Sequence, residues 1–431
     1  MKDMQTRRRV LRAAGALSAA AWMGGCAAIG SSKRPSGRVV VIGAGFGGAT
    51  AAKYIHQWSG GRIDVTLVEA NKQFVSCPMS NLVLGGHRGL DDLTASYAGL
   101  QRRGIRMVHD RVVAIDAQKK QLRLASGSML AYDRLVVSPG IELMYEAIAG
   151  MDAQAQETIL HAWKAGAQTV ALRQQLVAMP VGGVVVMSIP RSPYRCPPGP
   201  YERACQIASY LKTHKPGSKL LVLDANAQIT SKPTLFGRVF EEDYQAVIEY
   251  HPNMQVTQVD APGKTLVTEL GDAISGDVLN LIPPQRAGAI ARAAGLITAN
   301  ERWCGVDWRS MESVAVPFVH VLGDATLSAP KMPKSGHMAN QHGKVAAAAI
   351  VELMSGRAPI APMMTNTCYS YVDGQSAMHV SSVHRWDAQE KTMIPVDGAG
   401  GISTLDRSVW LQEGHYRSEE HTSELQSLTN L

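Results

Sequence analysis

Five strand-forming residues, Arg38-Val-Val-Val-Ile42, run directly into Gly43-Ala-Gly45-Phe-Gly-Gly48, a junction that few folds accommodate. The G-x-G-x-x-G spacing gives each glycine a task. Gly43 makes the tight turn, Gly45 leaves room for a pyrophosphate against the backbone, and Gly48 lets the following helix pack closely on the strand. Ala49–His56 reads as that helix, with unpaired N–H groups at its N-terminus available to phosphate. Asp64-Val-Thr-Leu-Val-Glu69 is a second apolar strand. Its closing carboxylate lies 21 residues past Gly48, where it can accept hydrogen bonds from a ribose. A glycine-rich turn alone is weak evidence. Strand, turn, helix, strand and acid in that order predict a dinucleotide-binding β-α-β unit.

A length of 431 residues favours two or three domains, and 45% hydrophobic with 18% charged residues describes a globular chain. The net charge of +7 includes Arg7-Arg-Arg9 and Arg12, and no basic stripe interleaved with aromatics accompanies it. Nucleic-acid binding is therefore not expected. The arginines precede Ala13–Met23, which is too short and alanine-rich for a membrane span. Residues 1–30 read as a twin-arginine export signal, with an ordinary secretory signal as the alternative, so the mature chain is expected in the periplasm. Met23-Gly-Gly-Cys26 also resembles a weak lipoprotein site, and no other stretch is apolar enough to span a bilayer. Outside the cytoplasm thiols are oxidised or chemically occupied. Cys26 goes with the signal and leaves Cys77, Cys196, Cys205, Cys304 and Cys368, an odd number. One of them is expected to be held by something other than a disulfide.

After the first unit the pattern predicts a helix around Leu90–Arg103, short strands at Arg111–Asp116 and Gln121–Leu124, and a return strand in Asp133–Gly140. A second α/β unit follows, with strands Val181–Met187 and Lys219–Asp224 around a helix at Glu202–His214. The first of these strands feeds Ser188-Ile-Pro-Arg-Ser-Pro-Tyr-Arg-Cys196-Pro-Pro-Gly-Pro200. Five prolines and two arginines cannot make the close turn that phosphates need. This unit is expected to bind no nicotinamide, and a cysteine stands in that place. Val316–Asp324 is a further apolar strand ending Gly323-Asp324, and Lys334-Ser335-Gly336 opens a helix to about Met354. His337 and His342 lack metal-ligand spacing and read as packing or hydrogen-bonding residues; no metal site is expected. From residue 417 the composition turns abruptly polar and reads as a non-native tail.

These residues together resemble the flavoprotein subunit of flavocytochrome c sulfide dehydrogenase, a family related to sulfide:quinone oxidoreductase and the disulfide reductases, from Arg38 to about Gln412. The resemblance implies an α/β fold of two Rossmann-like domains plus a C-terminal α+β domain. It places an FAD domain at residues 36–145 and 276–360, a second Rossmann-like domain at 146–275 and the C-terminal domain at 361–416. Cys77-Pro-Met-Ser80-Asn81, followed by Gly85-Gly86, matches the family segment whose cysteine bonds covalently to FAD. Gly43, Gly45, Gly48, Glu69, Gly323, Asp324, Lys334, Ser335 and Gly336 match the remaining cofactor contacts. Asp324 would lie near the ribityl chain, and the helix after Ser335 would direct its dipole at the flavin. Cys196 and Cys368 match the redox disulfide, and Glu202 a nearby carboxylate suited to proton handling, although by itself Glu202 could be an exposed first-turn glutamate. The alternative for Cys196 and Cys368 is an inert staple closing a long loop, but a cysteine placed where a nicotinamide would lie in a relative argues for redox work. Arg191 and Arg195 would attract HS⁻ to the pair. Electrons would leave to a c-type cytochrome subunit, since the chain has no C-x-x-C-H of its own. The rival readings are a quinone-linked enzyme at the membrane surface and a non-catalytic flavin-binding or assembly protein.

Overall fold

The computed structural model describes residues 36–416. The expected export signal with Cys26 and the expected non-native tail from residue 417 lie outside them. The first unit opens with β1 (Gly37–Ile42), α1 (Phe46–Trp58), β2 (Ile63–Val68), β3 (Arg106–Val108) and β4 (Arg134–Val137). The second carries β5 (Val184–Ile189), α2 (Gly199–His214), β6 (Lys219–Asp224), β7 (Ile248–Pro252) and β8 (Val278–Leu281). The chain returns through β9 (Val319–Val321) and α3 (Gly336–Met354). It then runs into an antiparallel meander of β10 (Met363–Tyr371), β11 (Ala377–Asp387) and β12 (Thr392–Ile402).

The first sheet has the parallel order β9-β4-β1-β2-β3, extended past β9 by two short antiparallel strands. A parallel sheet is covered on both faces, which is why its strands read as unbroken apolar runs rather than alternating ones. Val39, Val41, Leu67, Leu135 and Val137 are wholly removed from solvent. Each such side chain contributes about 1.5–3 kcal/mol of burial. The second sheet is also parallel, in the order β7-β6-β5-β8. Both units therefore present the C-terminal ends of their central strands, β1 and β5, to a shared interior.

Two sequence expectations are corrected. The helix foreseen over Leu90–Arg103 is a 3-10 turn (Asp91–Leu93), a strand (Thr94–Ser96) and only then a helix (Ala98–Arg102). Thr94–Ser96 pairs with Gln73–Val75, and that ladder overrides the local helical pattern. The second sheet also extends beyond residue 275, because β8 pairs with β5 from Val278 onward.

Candidate active site

The turn after β1 shows why its glycines are needed. A Cβ on Gly48 would sit 1.9 Å from the Gly43 carbonyl oxygen, so helix and turn can meet only without one. A Cβ on Gly45 would meet nothing within 4 Å, because Gly45 borders open space. That space is a cleft of about 1310 Å³, open at its mouth, between the two units and β10. A second cleft of about 940 Å³ lies on the other side of the turn, lined by Gly43, Glu69, Arg111 and Ala289. The glycine turn thus borders open space through Gly45 on one side and Gly43 on the other. Glu69 is committed in part to the protein: its carboxylate accepts from the N–H of Ala44 (2.9 Å) and of Asn71 (2.8 Å), holding the turn in shape.

The cleft beside Gly45 gathers most of the residues singled out from the sequence. Gly45, Cys77, Ser80, Asn81, Cys196, Glu202, Gly323, Asp324, Ser335, Gly336 and Cys368 all line it. Ser335 caps α3, accepting from the Met338 N–H (3.0 Å), and its hydroxyl donates to Asn366 Oδ1 (2.6 Å). The positive end of a 19-residue helix thus faces the cleft beside the Cys368 strand. Asp324 Oδ1 is buried without a hydrogen-bond partner. Burial raises its carboxyl pKa, opposed by Arg195 and Lys334. An orphaned acceptor, an open cradle at Gly45 and a helix N-terminus suit a flavin dinucleotide, with hydroxyls for Asp324 and a pyrophosphate for the turn.

Cys196 reaches the cleft through local geometry that the sequence does not display. It sits at φ +58°, its N–H donates to the Lys334 carbonyl (2.7 Å), and the Gly199 N–H donates back to its own carbonyl (2.8 Å). A Cβ on Gly199 would lie 2.8 Å from Trp163 Cη2 and 2.9 Å from the Cys196 sulfur. Glycine at the start of α2 therefore makes room for that sulfur. Burial, with Cys368 and Glu202 nearby, pushes the Cys196 thiol up to about 12. Asn366 Nδ2 donates to the Cys368 sulfur (3.3 Å). The two sulfurs share the cleft but are not bonded in this structure.

Glu202 is buried, so the exposed-glutamate reading is excluded. Its carboxylate accepts from Asn81 Nδ2 (2.9 Å) and the Tyr371 N–H (2.8 Å), tying the Cys77 segment, α2 and β10 together. Arg195 also lines the cleft; burial opposes its charge, but Cys77, Asp324 and Cys196 outweigh that and raise its pKa. Arg191 does not belong there: it is exposed and pairs with Glu269 (3.5 Å). Lys334 lies behind the cleft, its ammonium donating to the Asp324 (3.0 Å) and Thr326 carbonyls and pulled down to about 8 by burial. His342 is buried and accepts from the Gly323 N–H (3.1 Å); His337 accepts from the Thr367 N–H (3.1 Å). Cys205 and Cys304 are buried away from the cleft.

Sequence reasoning missed Arg203, Trp163 and Lys232. Arg203 is buried, donates to Asn81, Asn280 and the carbonyls of His161 and Ala162, and stacks over Trp163. Burial lowers it to about 9. Its position after Glu202 near a helix start gave no signal beyond an ordinary charged turn.

The central-domain model of the sulfide dehydrogenase (flavocytochrome c) flavoprotein chain matches residues 169–283, and the flavin-binding model of flavocytochrome c sulphide dehydrogenase matches 360–421. A pyridine nucleotide-disulphide oxidoreductase model matches 37–187. The sulfide dehydrogenase (flavocytochrome c) flavoprotein chain of Chlorobaculum thiosulfatiphilum is 56% identical over 46 residues, which are 94% of that relative and 11% of this chain. The chain belongs to the flavocytochrome c sulfide dehydrogenase family of flavoproteins. The family's sulfide:quinone oxidoreductase relatives are more distant. The mitochondrial enzyme of Mus musculus is 24% identical over 334 residues, 71% of this chain and 69% of that protein. That of Dictyostelium discoideum is 21% identical over 304 residues, 67% of this chain and 65% of that protein, just under two thirds of its length. The sulfide:quinone oxidoreductase structure from Aquifex aeolicus superposes with a TM-score of 0.72 at 17% identity, covering 91% of each chain. The superposition shows the overall fold, the Rossmann-like architecture of pyridine nucleotide-disulphide oxidoreductases.

Proposed function

We propose that this chain is an FAD-dependent sulfide dehydrogenase whose Cys196 and Cys368 form a redox disulfide, acting in the periplasm and delivering electrons to a c-type cytochrome subunit. The observation that carries the reading is the meeting of Cys77, Cys196 and Cys368, from three separate segments, in the cleft beside the glycine turn. Sulfide is small and anionic, so it needs an electrophile more than a large recognition surface. HS⁻ attacks one sulfur of the disulfide: the Cys–Cys bond breaks, a new S–S bond gives a persulfide on one cysteine, and the other departs as a thiolate. Arg195 gives the cleft a cationic wall for the incoming anion. Glu202, held by Asn81 and Tyr371, is the carboxylate that can take the persulfide proton. When bound, FAD supplies the acceptor for the electron pair left on the reduced cysteines and releases electrons singly. Cys77 is proposed to hold it covalently, which suits an exported protein with no means of rebinding lost cofactor.

The likeness to the mitochondrial sulfide:quinone oxidoreductases favours quinone as the alternative acceptor. Among the described residues no helix is long and apolar enough to cross a membrane. Anaerobic sulfide titration of the purified full chain, followed by flavin absorbance, tests the chemistry. Wild type should bleach, and Cys196→Ser should lose bleaching by about 10³-fold, the scale of removing a covalent participant. Unchanged bleaching in that variant removes the disulfide mechanism. Flavin retained after acid precipitation, with a flavin mass on the Cys77 peptide, would support the covalent bond; free flavin would remove it.

A further inference from the structure

Lys232 is a buried cation that the mechanism above leaves unused. It is 3% exposed, and no carboxylate lies within ion-pair distance of it among the described residues. Its ammonium donates instead to three neutral acceptors: the Cys368 carbonyl (3.0 Å), Ser370 Oγ (2.9 Å) and the Met378 carbonyl (2.6 Å). Ser370 and Met378 are opposite one another on β10 and β11, so one side chain from the second unit pins both strands just beyond Cys368. Lys232 also occupies the left-handed region, φ +53°, immediately before Pro233. A lysine is strained there, and an ammonium buried without a counterion is unfavourable. Burial lowers its pKa to about 8, opposed by Cys368, Glu202, Cys196 and Glu413 around it. The ammonium bonded to the Cys368 carbonyl is placed to offset negative charge formed at the redox pair.

We infer that Lys232 is a positioning residue for the sulfur chemistry: it holds the Cys368 strand in the cleft and compensates the thiolate released at Cys368 when the disulfide is cleaved. The inference rests on the redox-disulfide reading. In the balanced step, one S–S bond is exchanged for another and the electron pair stays on the leaving sulfur. Lys232 takes part in no bond change; its charge acts on the product side only, and so makes the pair easier to reduce.

The test equilibrates the full-length, flavin-loaded protein with dithiothreitol redox buffers at pH 7.0 and 5.5. The reduced pair is counted by mass after alkylation, in wild type, Lys232→Met, Lys232→Gln and Lys232→Arg. Gln keeps hydrogen-bond donors without charge, and flavin retention reports whether each variant is folded. Met and Gln should both lower the reduction equilibrium constant about tenfold at pH 7.0. Arg, which keeps the charge, should stay within about threefold of wild type at both pH values. Equal deficits in Met, Gln and Arg at both pH values would mean strand support only and would overturn the charge role. A Met variant matching wild type would overturn the inference alone. A wild type with no reducible pair would overturn the disulfide reading and this inference together.

Discussion

The two α/β units of this molecule share a strand–loop–helix plan and differ in what the loop carries. In the first, β1 reaches α1 through a turn so tight that Gly48 touches the Gly43 carbonyl. In the second, β5 reaches α2 through a long proline-rich loop that lifts Cys196 into the cleft. The first turn keeps side chains away from a ligand's phosphates, and the second brings a sulfur toward the same space. On the same strand–loop–helix scaffold, the turn alone decides whether the junction leaves room for phosphates or presents a reactive side chain.

Breaking the first turn should have the largest effect. Gly48→Val places a side chain against backbone that cannot yield, and should cost about 3 kcal/mol or more, with loss of flavin from the purified protein. Wild-type melting and flavin content in that variant would refute the assigned packing. The units also differ in which imidazole supports them. His342 steadies the Gly323 turn of the first unit, and His161 accepts from the Trp163 N–H (2.6 Å) beside the second. Burial holds both imidazoles neutral, lowered to about 3. Both folded values lie below the unfolded one, so their contribution is complete above about pH 6.5 and is lost as pH falls toward 3, by about 1.4 kcal/mol per unit for each. Buried His320, lowered to about 4, contributes over the same range, so melting temperature should drop by about 10 °C between pH 6.5 and 4.5, and His342→Gln should remove about a third of that drop. A flat acid limb in wild type would contradict it.

Gly199→Ala tests the second turn more gently. Its methyl group would press on Trp163 and the Cys196 sulfur, and should slow sulfide-dependent bleaching about tenfold while costing about 1–3 kcal/mol. If rate and stability both stay at wild-type values, the sulfur does not depend on that gap. The smallest effect is expected at Arg191→Ala. Its ion pair with Glu269 is exposed, so bleaching should change less than about twofold. A larger loss would return Arg191 to the anion path from which its position removes it.

The sequence by itself determined the local grammar of the first unit. Strand, glycine turn, helix and acid are contiguous, and their meaning depends on backbone sterics that act within a few residues. It also determined that the second unit could not repeat that turn, because proline fixes φ and removes donors wherever it stands. Only the tertiary structure decided which charges matter. Arg191 and Arg195 are alike in sequence, yet one faces solvent and the other borders the cleft. Glu202 reads as an ordinary first-turn acid until Asn81 and Tyr371 are brought to it from segments more than a hundred residues away. Lys232 gave no signal because its partners belong to the final meander. Burial and long-range hydrogen bonding set the energy of a charge, and neither is a property of the neighbouring residues in the chain.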